Sequence, residues 1–397
     1  MNYAASIAMP SPKQDQAAVS RLIALAVRGL EPMLDEDRQL FCYKLKKSEQ
    51  GMIREGLSHR YTMMTLLGLH RLENAGTAHP FNTQRILQSL LSDLAWADNI
   101  GDVGVLLWLC ATVCPERLPE IESQLKIESA LERYRGAKDG VTMELAWFLT
   151  GVCYWGLAHP EKLASLKPLA FETYRMLIKN QGERGFFGHL STSQSLMGLV
   201  RGRVGSFADQ VYPIYAFTQF FRAYQSEEAV KRAMKCARGI CEAQGPSGQW
   251  WWHYDSVSGQ VTDGYPVFSV HQHAMAPMTL FALGEATGHD FDPWIYNGLR
   301  WINSNNALRF EMEDASLNII WRCIFRSRRS GMHYLKARLG RYMDPVEHEQ
   351  HGELRVLFEC RPYELGWLLY AFAGRLQAAP SSCNKNSSNR FITENNW

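Results

Sequence analysis

Residues 209–221, DQVYPIYAFTQFF, begin with polar and aromatic side chains and continue as an almost unbroken apolar run. A helix that is apolar on every face has to be buried, whereas an amphipathic helix covers a core and faces water on its other side. Segments of the first kind alternate with amphipathic ones along the chain, which indicates an inner and an outer layer of helices. The segments of the first kind begin near His59, Asn99, Thr142, Asp209, His271, Ala315 and Pro362.

The spacing of these starts predicts the architecture. Most intervals are about 40–47 residues, the length of one helical hairpin, and two intervals are longer because they carry insertions. Buried helices inside and amphipathic helices outside favour a closed double layer. We therefore expect an all-α fold, an α/α toroid of six or seven helical hairpins. An open solenoid of the HEAT type is the alternative geometry.

Two segments depart from the helical pattern. Aromatic runs flank Ser256–Gly259 in QWWWHYDSVSGQVTDGYPVFSV (249–270), which predicts a short β-hairpin insertion near 248–268. Residues 378–397 are polar and are predicted to form a disordered tail. We therefore expect one toroid domain over residues 1–377.

The composition excludes several classes of partner. The chain of 397 residues carries 42 Lys and Arg against 40 Asp and Glu, so a nucleic acid is not expected as a partner. The longest apolar stretch, 103–114, is shorter than the roughly 20 residues that cross a membrane. The first residues lack the basic and apolar regions of a secretory signal. We therefore expect a cytoplasmic protein without an integral membrane segment; its oligomeric state is left open.

The same short pattern ends two of the helices. One copy is YRMLIKNQGERGFFGH (174–189), with Gln181, and the other is CARGICEAQGPSGQWWWHYD (236–255), with Gln244. A helix that ends in Gln, followed by Gly and a large aromatic residue, resembles the QW repeat of squalene-hopene cyclases and of their prenyltransferase β-subunit relatives. Those families are α/α toroids. The resemblance implies the same fold and, for function, a polyprenyl substrate.

The motifs that carry chemistry in those families are missing here. Class II terpene cyclases of this type protonate an alkene with an Asp of a DxDD motif, and the nearest strings are LDEDR (34–38) and HDFDPW (289–294). Prenyltransferase β-subunits hold zinc with an Asp, a Cys and a His, and no Cys accompanies His271 or His273 in that motif. The resemblance therefore supports the architecture and puts the cyclase chemistry in doubt.

The first turns of the inner helices are the expected place for a binding site, because parallel inner helices all begin at one mouth. Acidic residues there are also explained by helix capping, but His, Arg and Tyr are not capping residues. Together they predict a polar, aromatic-lined cavity. The predicted substrate-binding residues are Arg60, Tyr61, Asp102, Glu144, Asn318, Arg322, Arg361 and Tyr363, with Trp252 and Asp255 from the hairpin.

Histidines are the densest candidates for chemistry. His253 lies on the hairpin, and His271 and His273 open the next helix. We favour general acid or base catalysis, with Asp255 or Asp209 orienting the imidazole. A metal site and purely structural histidines are the alternatives, and neither a metal ion nor a cofactor is expected. The predicted catalytic residues are His271, His273, Asp209, Tyr212, Glu364 and His253.

Arg361, in the motif ECRPYELGW, has two interpretations. Its guanidinium is suited to hold a substrate carboxylate or phosphate through two parallel hydrogen bonds. Alternatively, an ion pair with Glu359 or Glu364 would hold the ring closed.

The residues at the mouth favour a hydroxylated ligand, because aromatic rings stack on sugar C–H faces while charged groups bind hydroxyls or a carboxylate. The first hypothesis is therefore an enzyme for a carbohydrate or uronate substrate: an epimerase, a lyase or a glycoside hydrolase. A terpene-cyclase-like or prenyl-handling enzyme is the second, and a non-catalytic helical-repeat binding protein is the third.

Overall fold

A computed structural model describes residues 12–135, 141–190, 202–327 and 353–375. No helix within these ranges is both long enough and apolar enough to span a membrane. The expected tail at 378–397 lies outside the described residues, and the extent of the domain stays a prediction.

Six helices of the described part of the chain form a closed inner ring. Each one packs on the next, and the last packs on the first. A π-helical turn at His271–Met275 precedes the fifth. The inner helices are α2 (His59–Asn74), α4 (Ile100–Val113), α7 (Thr142–Ala158), α9 (Ala208–Tyr224), α11 (Ala276–Thr287) and α13 (Pro362–Phe372). The predicted α/α toroid is confirmed.

The remaining helices lie against the outside of this ring, and each packs on an inner helix next to it in the sequence or, for the first helix, on α13. Most are amphipathic; α10, for example, buries Val230, Ala233 and Ala237 and exposes charged side chains. The outer helices are α1 (Pro12–Leu30), α3 (Thr83–Leu90), α5 (Leu118–Gln124), α6 (Ile127–Arg135), α8 (Leu163–Ile178), α10 (Glu227–Glu242) and α12 (Asp292–Ile302).

All described strands lie in connections that lead from an outer helix into an inner one, at the mouth of the ring. Their pairings are antiparallel. The first sheet contains β1 (Leu34–Asp35), β2 (Leu40–Ser48), β3 (Gly51–Leu57) and β12 (Glu359–Cys360). The second contains β4 (Val204–Ser206), β5 (His253–Asp255) and β6 (Val261–Asp263). The others contain β7 (Val267–Phe268), β10 (Cys323–Arg326) and β11 (Leu354–Leu357), and β8 (Glu313–Asp314) with β9 (Ile319–Ile320).

The strands confirm one expectation and correct another. The predicted hairpin near 248–268 is present as β5 and β6. The inner helix expected to start near Ala315 is wrong, because a tight turn joins β8 and β9 there. In this turn the Asp314 carboxylate accepts hydrogen bonds from the backbone N–H groups of Ser316 (3.1 Å) and Leu317 (3.2 Å). Asn318 follows with a positive φ of 54°, which ends any helical path.

The ring is filled at the end away from the mouth. Trp108 stacks on Trp367 with ring centroids 5.2 Å apart. Beneath them the hydroxyl of Tyr215 lies 2.7 Å from those of Tyr154 and Tyr370. These side chains close the centre of the ring, so the space at the mouth is a cavity with a floor and not a channel.

Backbones approach closely where the ring closes. A Cβ built on Gly366 of α13 would lie 2.7 Å from Thr65 Cα and 3.0 Å from the Met64 carbonyl oxygen of α2. A Cβ on Gly68 would overlap the carbonyl oxygen of Gly366. The seam between α2 and α13 therefore leaves no room for a side chain at either glycine.

We expect Gly366→Ala to lower the free energy of unfolding by about 1–3 kcal/mol, because overpacking forces the two backbones apart. Urea unfolding measures this change. Gly374→Ala is the matched control, since a Cβ there meets nothing within 4 Å. Equal stability of the two variants would contradict the tight seam.

Candidate active site

A cavity of about 290 Å³ lies at the mouth of the ring. Its cationic side chains are Arg60, Arg322 and Arg361. Its aromatic walls are Tyr61, Trp147, Tyr212, Trp252, Phe268 and Tyr363. Of the sixteen residues predicted for the site, the cavity brings together Arg60, Tyr61, Tyr212, Trp252, His271, Arg322, Arg361 and Tyr363.

Arg60 is fixed by a carboxylate on the neighbouring inner helix. Its Nε donates to Asp102 Oδ1 at 2.5 Å and its Nη2 to Oδ2 at 2.9 Å. Asn99 Nδ2 also donates to Oδ2, at 2.7 Å. The guanidinium lies 5.2 Å from the centre of the Trp147 ring. The charge of Asp102 is therefore compensated, and Arg60 is held flat against the cavity wall.

Arg322 forms an ion pair with Glu364, which is buried in the first turn of α13. The other oxygen of Glu364 accepts a hydrogen bond from the backbone N–H of Arg361 at 3.2 Å. Burial raises the pKa of the Glu364 carboxyl, and the positive charge of Arg322 opposes that change. The pair joins the strand β10 region to α13 and places the Arg322 guanidinium 5.1 Å from the centre of the Phe268 ring.

Arg361 differs from the other two arginines because it pairs with no carboxylate in the described part of the chain. Its Nη1 donates to the Tyr61 hydroxyl at 2.9 Å, and its guanidinium lies 4.5 Å from the centre of the Tyr43 ring. Glu359, its expected partner, instead accepts a hydrogen bond from Lys44 Nζ at 3.1 Å. The cavity therefore has one uncompensated positive charge in its wall.

His271 lies in the cavity wall as a neutral imidazole. Burial is the main cause that lowers its pKa to about 3, and the nearby charge of Arg322 acts in the same direction. Its ring packs on Phe207 with centroids 4.5 Å apart, and its Nδ1 has no hydrogen-bond partner among the described residues. Because this nitrogen is itself buried, the imidazole contributes an uncharged ring to the cavity wall.

The aromatic wall is rigidly packed. The Tyr212 hydroxyl accepts a hydrogen bond from Trp367 Nε1 at 3.0 Å, and Trp147 meets the Tyr212 ring edge to face at 5.1 Å. Tyr61 and Tyr363 lie 4.6 Å apart across α2 and α13. Burial raises the pKa of Tyr61, Tyr212 and Tyr363, so these phenols stay protonated at neutral pH. They are hydrogen-bond donors and stacking surfaces.

Asp209 orients a histidine that sequence reasoning missed. His189 Nδ1 lies 3.0 Å from Asp209 Oδ2, which also accepts hydrogen bonds from the backbone N–H and the hydroxyl of Ser206, both at 2.8 Å. The Asp209 side chain is 1% exposed and that of His189 is 28% exposed. The carbonyl of His189 accepts from the Thr142 backbone N–H at 3.0 Å, so this pair lies between the first turns of α7 and α9. The next residues along those helices, Met143 and Ala208 with Tyr212, line the cavity.

Two of the hairpin candidates, Asp255 and His253, lie outside the cavity lining. Asp255 is buried and accepts hydrogen bonds from Arg203 Nε at 2.7 Å and from the Val257 backbone N–H at 2.8 Å. These bonds hold the turn of the hairpin. His253 stacks on Trp252 with ring centroids 4.0 Å apart, so it supports a residue of the wall.

The other predicted site residues also lie outside the cavity lining. His273, on the π-helical turn, is buried and does not line the cavity, and Glu144 accepts a hydrogen bond from the Tyr134 hydroxyl. Asn318 accepts from Arg28 Nε at 2.7 Å, in the turn between β8 and β9. The described residues contain no group of three His, Cys, Asp or Glu side chains placed to hold a metal ion.

Several residues that line the cavity are apolar, and their residue types gave no indication of a functional role. Met64, Ala208 and Met275 lie three or four positions from predicted site residues on the same inner helix or on the π-helical turn, and Met143 is adjacent to Glu144. Positions three or four residues from a polar candidate lie on the same helix face, and this spacing would have indicated three of these four apolar residues.

His273 should make stability depend on pH. Burial lowers its pKa to about 3 from an ordinary value of 6.5, so protons bind the unfolded chain first as the pH falls below 6.5. The stabilisation is complete above pH 6.5 and is lost towards pH 3. Between these pH values His273 should lower the free energy of unfolding by about 1.4 kcal/mol for each pH unit of acidification. We expect His273→Gln to lack this contribution. Urea unfolding at pH 7, 6 and 5 measures it, and parallel pH curves for the variant and the unchanged protein would contradict the assignment.

The fold, compared with known proteins, is that of glycoside hydrolases. No family model matches the sequence, and a search of curated proteins gives no match. A solved structure from Salmonella enterica serovar Paratyphi A, described as a possible member of the GH105 family, is 11% identical, with a TM-score of 0.56 over 91% of this chain and 94% of that one. An unsaturated glucuronyl hydrolase specific for heparin is 12% identical, with a TM-score of 0.56 over 92% of this chain and 97% of that one.

An unsaturated glucuronyl hydrolase from Bacillus sp. GL1, responsible for glycosaminoglycan degradation, is 14% identical, with a TM-score of 0.51 over 90% of this chain and 95% of that one. At these identities the likeness establishes the fold. The resemblance to squalene-hopene cyclases gains no support beyond the toroid that both groups share. The chain is an α/α toroid of the architecture used by these hydrolases.

Proposed function

We propose that the protein is a glycoside hydrolase that binds a uronate unit of a carbohydrate in the mouth cavity. The observation that carries the proposal is Arg361, a cation without a carboxylate partner in the described residues, placed in an aromatic-walled cavity. A sugar carboxylate would supply the missing negative charge through two parallel hydrogen bonds to the guanidinium. Arg322 and Arg60, each already paired, would add to the positive potential around it.

The walls suit a sugar ring. Tyr61 and Tyr363 offer aromatic rings and protonated hydroxyls, Trp147 offers an aromatic ring, and His271 offers an uncharged imidazole ring. The cavity volume of about 290 Å³ is at the lower end of the range for ligand sites, about 300–1,000 Å³. A terminal unit of a chain therefore suits it better than a long internal segment.

The structural neighbours guide the choice among uronate chemistries. Solved structures with this fold are named as unsaturated glucuronyl hydrolases, which supports hydrolysis over epimerisation or a lyase reaction. The small, charged cavity disfavours the polyprenyl hypothesis, since a prenyl chain would need a long apolar lining. The closed ring around an enclosed cavity disfavours the scaffold hypothesis.

Hydrolysis consumes one water molecule. The glycosidic C–O bond breaks and the leaving oxygen takes up a proton, while the oxygen of water bonds to the sugar carbon and water releases a proton. We assign this proton transfer to His189, because buried Asp209 binds its Nδ1 at 3.0 Å and orients the imidazole. Asp209 is then a positioning residue. His271, buried beside Arg322, would bind substrate instead.

The first test is substrate preference. An unsaturated glucuronyl disaccharide should be turned over, followed by the loss of ultraviolet absorbance of its conjugated double bond, and a glucoside with the same leaving sugar should react poorly. Arg361→Gln should raise KM for the uronate substrate by roughly 10- to 100-fold, because it removes charged hydrogen bonds to the carboxylate.

Arg355→Gln is the matched control for Arg361→Gln, since Arg355 is an exposed arginine that pairs with Glu353. Its KM should stay unchanged. If Arg361→Gln raised KM equally for the uronate and the neutral glucoside, Arg361 would not bind the carboxylate. If the protein turned over no uronate glycoside, the proposed activity would be wrong.

The second test is the pH profile. His189→Gln should lower kcat by roughly 10²- to 10⁴-fold, the range for loss of a general acid or base, with little change in KM. Asp209→Asn should lower kcat less and shift the pH dependence of the rate, because the amide no longer favours the same protonation of His189. Unchanged kcat in both variants, at unchanged melting temperature, would exclude this pair from the reaction.

A further inference from the structure

A second and larger depression lies on the outer wall of the toroid, with a volume of about 830 Å³. It runs between α10 and two connections at the mouth end of the ring, at residues 183–186 and 258–259, and it shares no lining residue with the mouth cavity. We call it the basic groove, after its four cations: Arg184, Lys231, Lys235 and Arg238.

The cations of the basic groove are unpaired. Lys231, Lys235 and Arg238 are spaced four and three residues apart, which places them on one face of α10, and Arg184 faces them from the connection. All four are exposed, and none forms an ion pair within the described ranges. Two carboxylates, Glu183 and Glu242, also line the groove, so its net charge is positive.

Other cations on the outer wall behave differently. Arg135 pairs with Glu128, Glu132 and Glu172, and Lys162 Nζ lies 2.7 Å from Glu122. Even within α10, Arg232 pairs with Glu228 at 2.7 Å. The groove therefore brings together four cations that lack the carboxylate partners of Arg135, Lys162 and Arg232.

The groove has a fixed apolar floor. Phe186 is buried and stacks on Tyr254 with centroids 5.4 Å apart. Its ring lies where Gly239 has no side chain, since a Cβ there would be 2.7 Å from the ring. Gly185, at a positive φ of 97°, brings the connection against Lys235. An apolar floor between cationic walls suits a chain of sugar rings that carry negative groups.

The chain segment that follows α8 contributes to the groove and then approaches the mouth cavity. Arg184 lines the groove, and five residues further along the chain His189 binds Asp209, whose helix neighbours Ala208 and Tyr212 line the cavity. Five residues span at most about 18 Å, so a short oligosaccharide reaches from one to the other.

We propose that the basic groove binds further anionic units of the carbohydrate whose terminal uronate enters the cavity. This inference rests on the proposed function for its ligand class. A nucleic acid suits the protein less well, because the chain carries nearly balanced charge, 42 Lys and Arg against 40 Asp and Glu.

The test compares a polymer with its monomer. Lys231→Gln/Lys235→Gln should weaken binding of a hexameric oligouronate about tenfold in titration calorimetry, while glucuronate binding and disaccharide turnover stay unchanged. Lys126→Gln/Lys167→Gln, on exposed outer-wall lysines away from the groove, removes the same charge and should change nothing.

Three results would overturn the inference: equal loss in both double variants, hexamer affinity no higher than that of glucuronate, or tighter binding of a single-stranded oligonucleotide of equal charge. Failure of the proposed function has a different signature. In that case no glucuronate binding or disaccharide turnover is found, while hexamer binding still depends on Lys231 and Lys235.

Discussion

The contact between α2 and α13 is the constraint on which the rest of the molecule depends. Gly68 and Gly366 allow two backbones to meet where the chain's first inner helix joins its last. Arg60 and Tyr61 begin one of these helices, and Arg361 and Tyr363 begin the other. Because the seam is close, residues about 300 positions apart in the sequence form a single wall, with Arg361 bonded to Tyr61. A looser seam would separate the cation from the rings that surround it.

Charge in the cavity is arranged by pairing two of the three arginines. Burying an ion costs several kcal/mol unless a partner and hydrogen bonds compensate it. Asp102 and Glu364 provide that compensation for Arg60 and Arg322, and each carboxylate also accepts an N–H from its own helix start or cap. Among the described residues Arg361 has no carboxylate partner, and its guanidinium instead lies against Tyr43 and donates to Tyr61. This arrangement supports the proposed binding of an anion.

The inner ring was predictable because buried helices have to be apolar on all sides. Five of its six helices begin within one or two residues of a predicted start. The exception is α11, which is preceded by the π-helical turn at His271. The error at Ala315 had a local cause: Asp314 and Asn318 form a turn whose neighbours, Ile319 and Ile320, are apolar enough to imitate a buried helix. The strands at 40–57 were missed, since β2 begins with three consecutive buried residues and β3 has no buried residue, so no regular alternation of apolar and polar residues marks them.

The location of the site could be predicted from the sequence, but the ion pairs and hydrogen bonds between its side chains could not. Residues at the first turns of inner helices converge in any toroid, so Arg60, Tyr212 and Arg361 were found by position. Which carboxylate meets which cation depends on side-chain geometry across the ring, as Asp209 shows by bonding His189 and not the expected histidines.

The strands have a consequence for how this architecture changes over time. They occupy the connections at one end of the ring, while the opposite end is joined by short links such as the two residues between α9 and α10. Chain added at the mouth lengthens a surface loop at small entropic cost and leaves the helix seams intact. New binding surface can therefore accumulate on one face of an unchanged ring, which makes the mouth the region where related toroids are free to diverge in specificity.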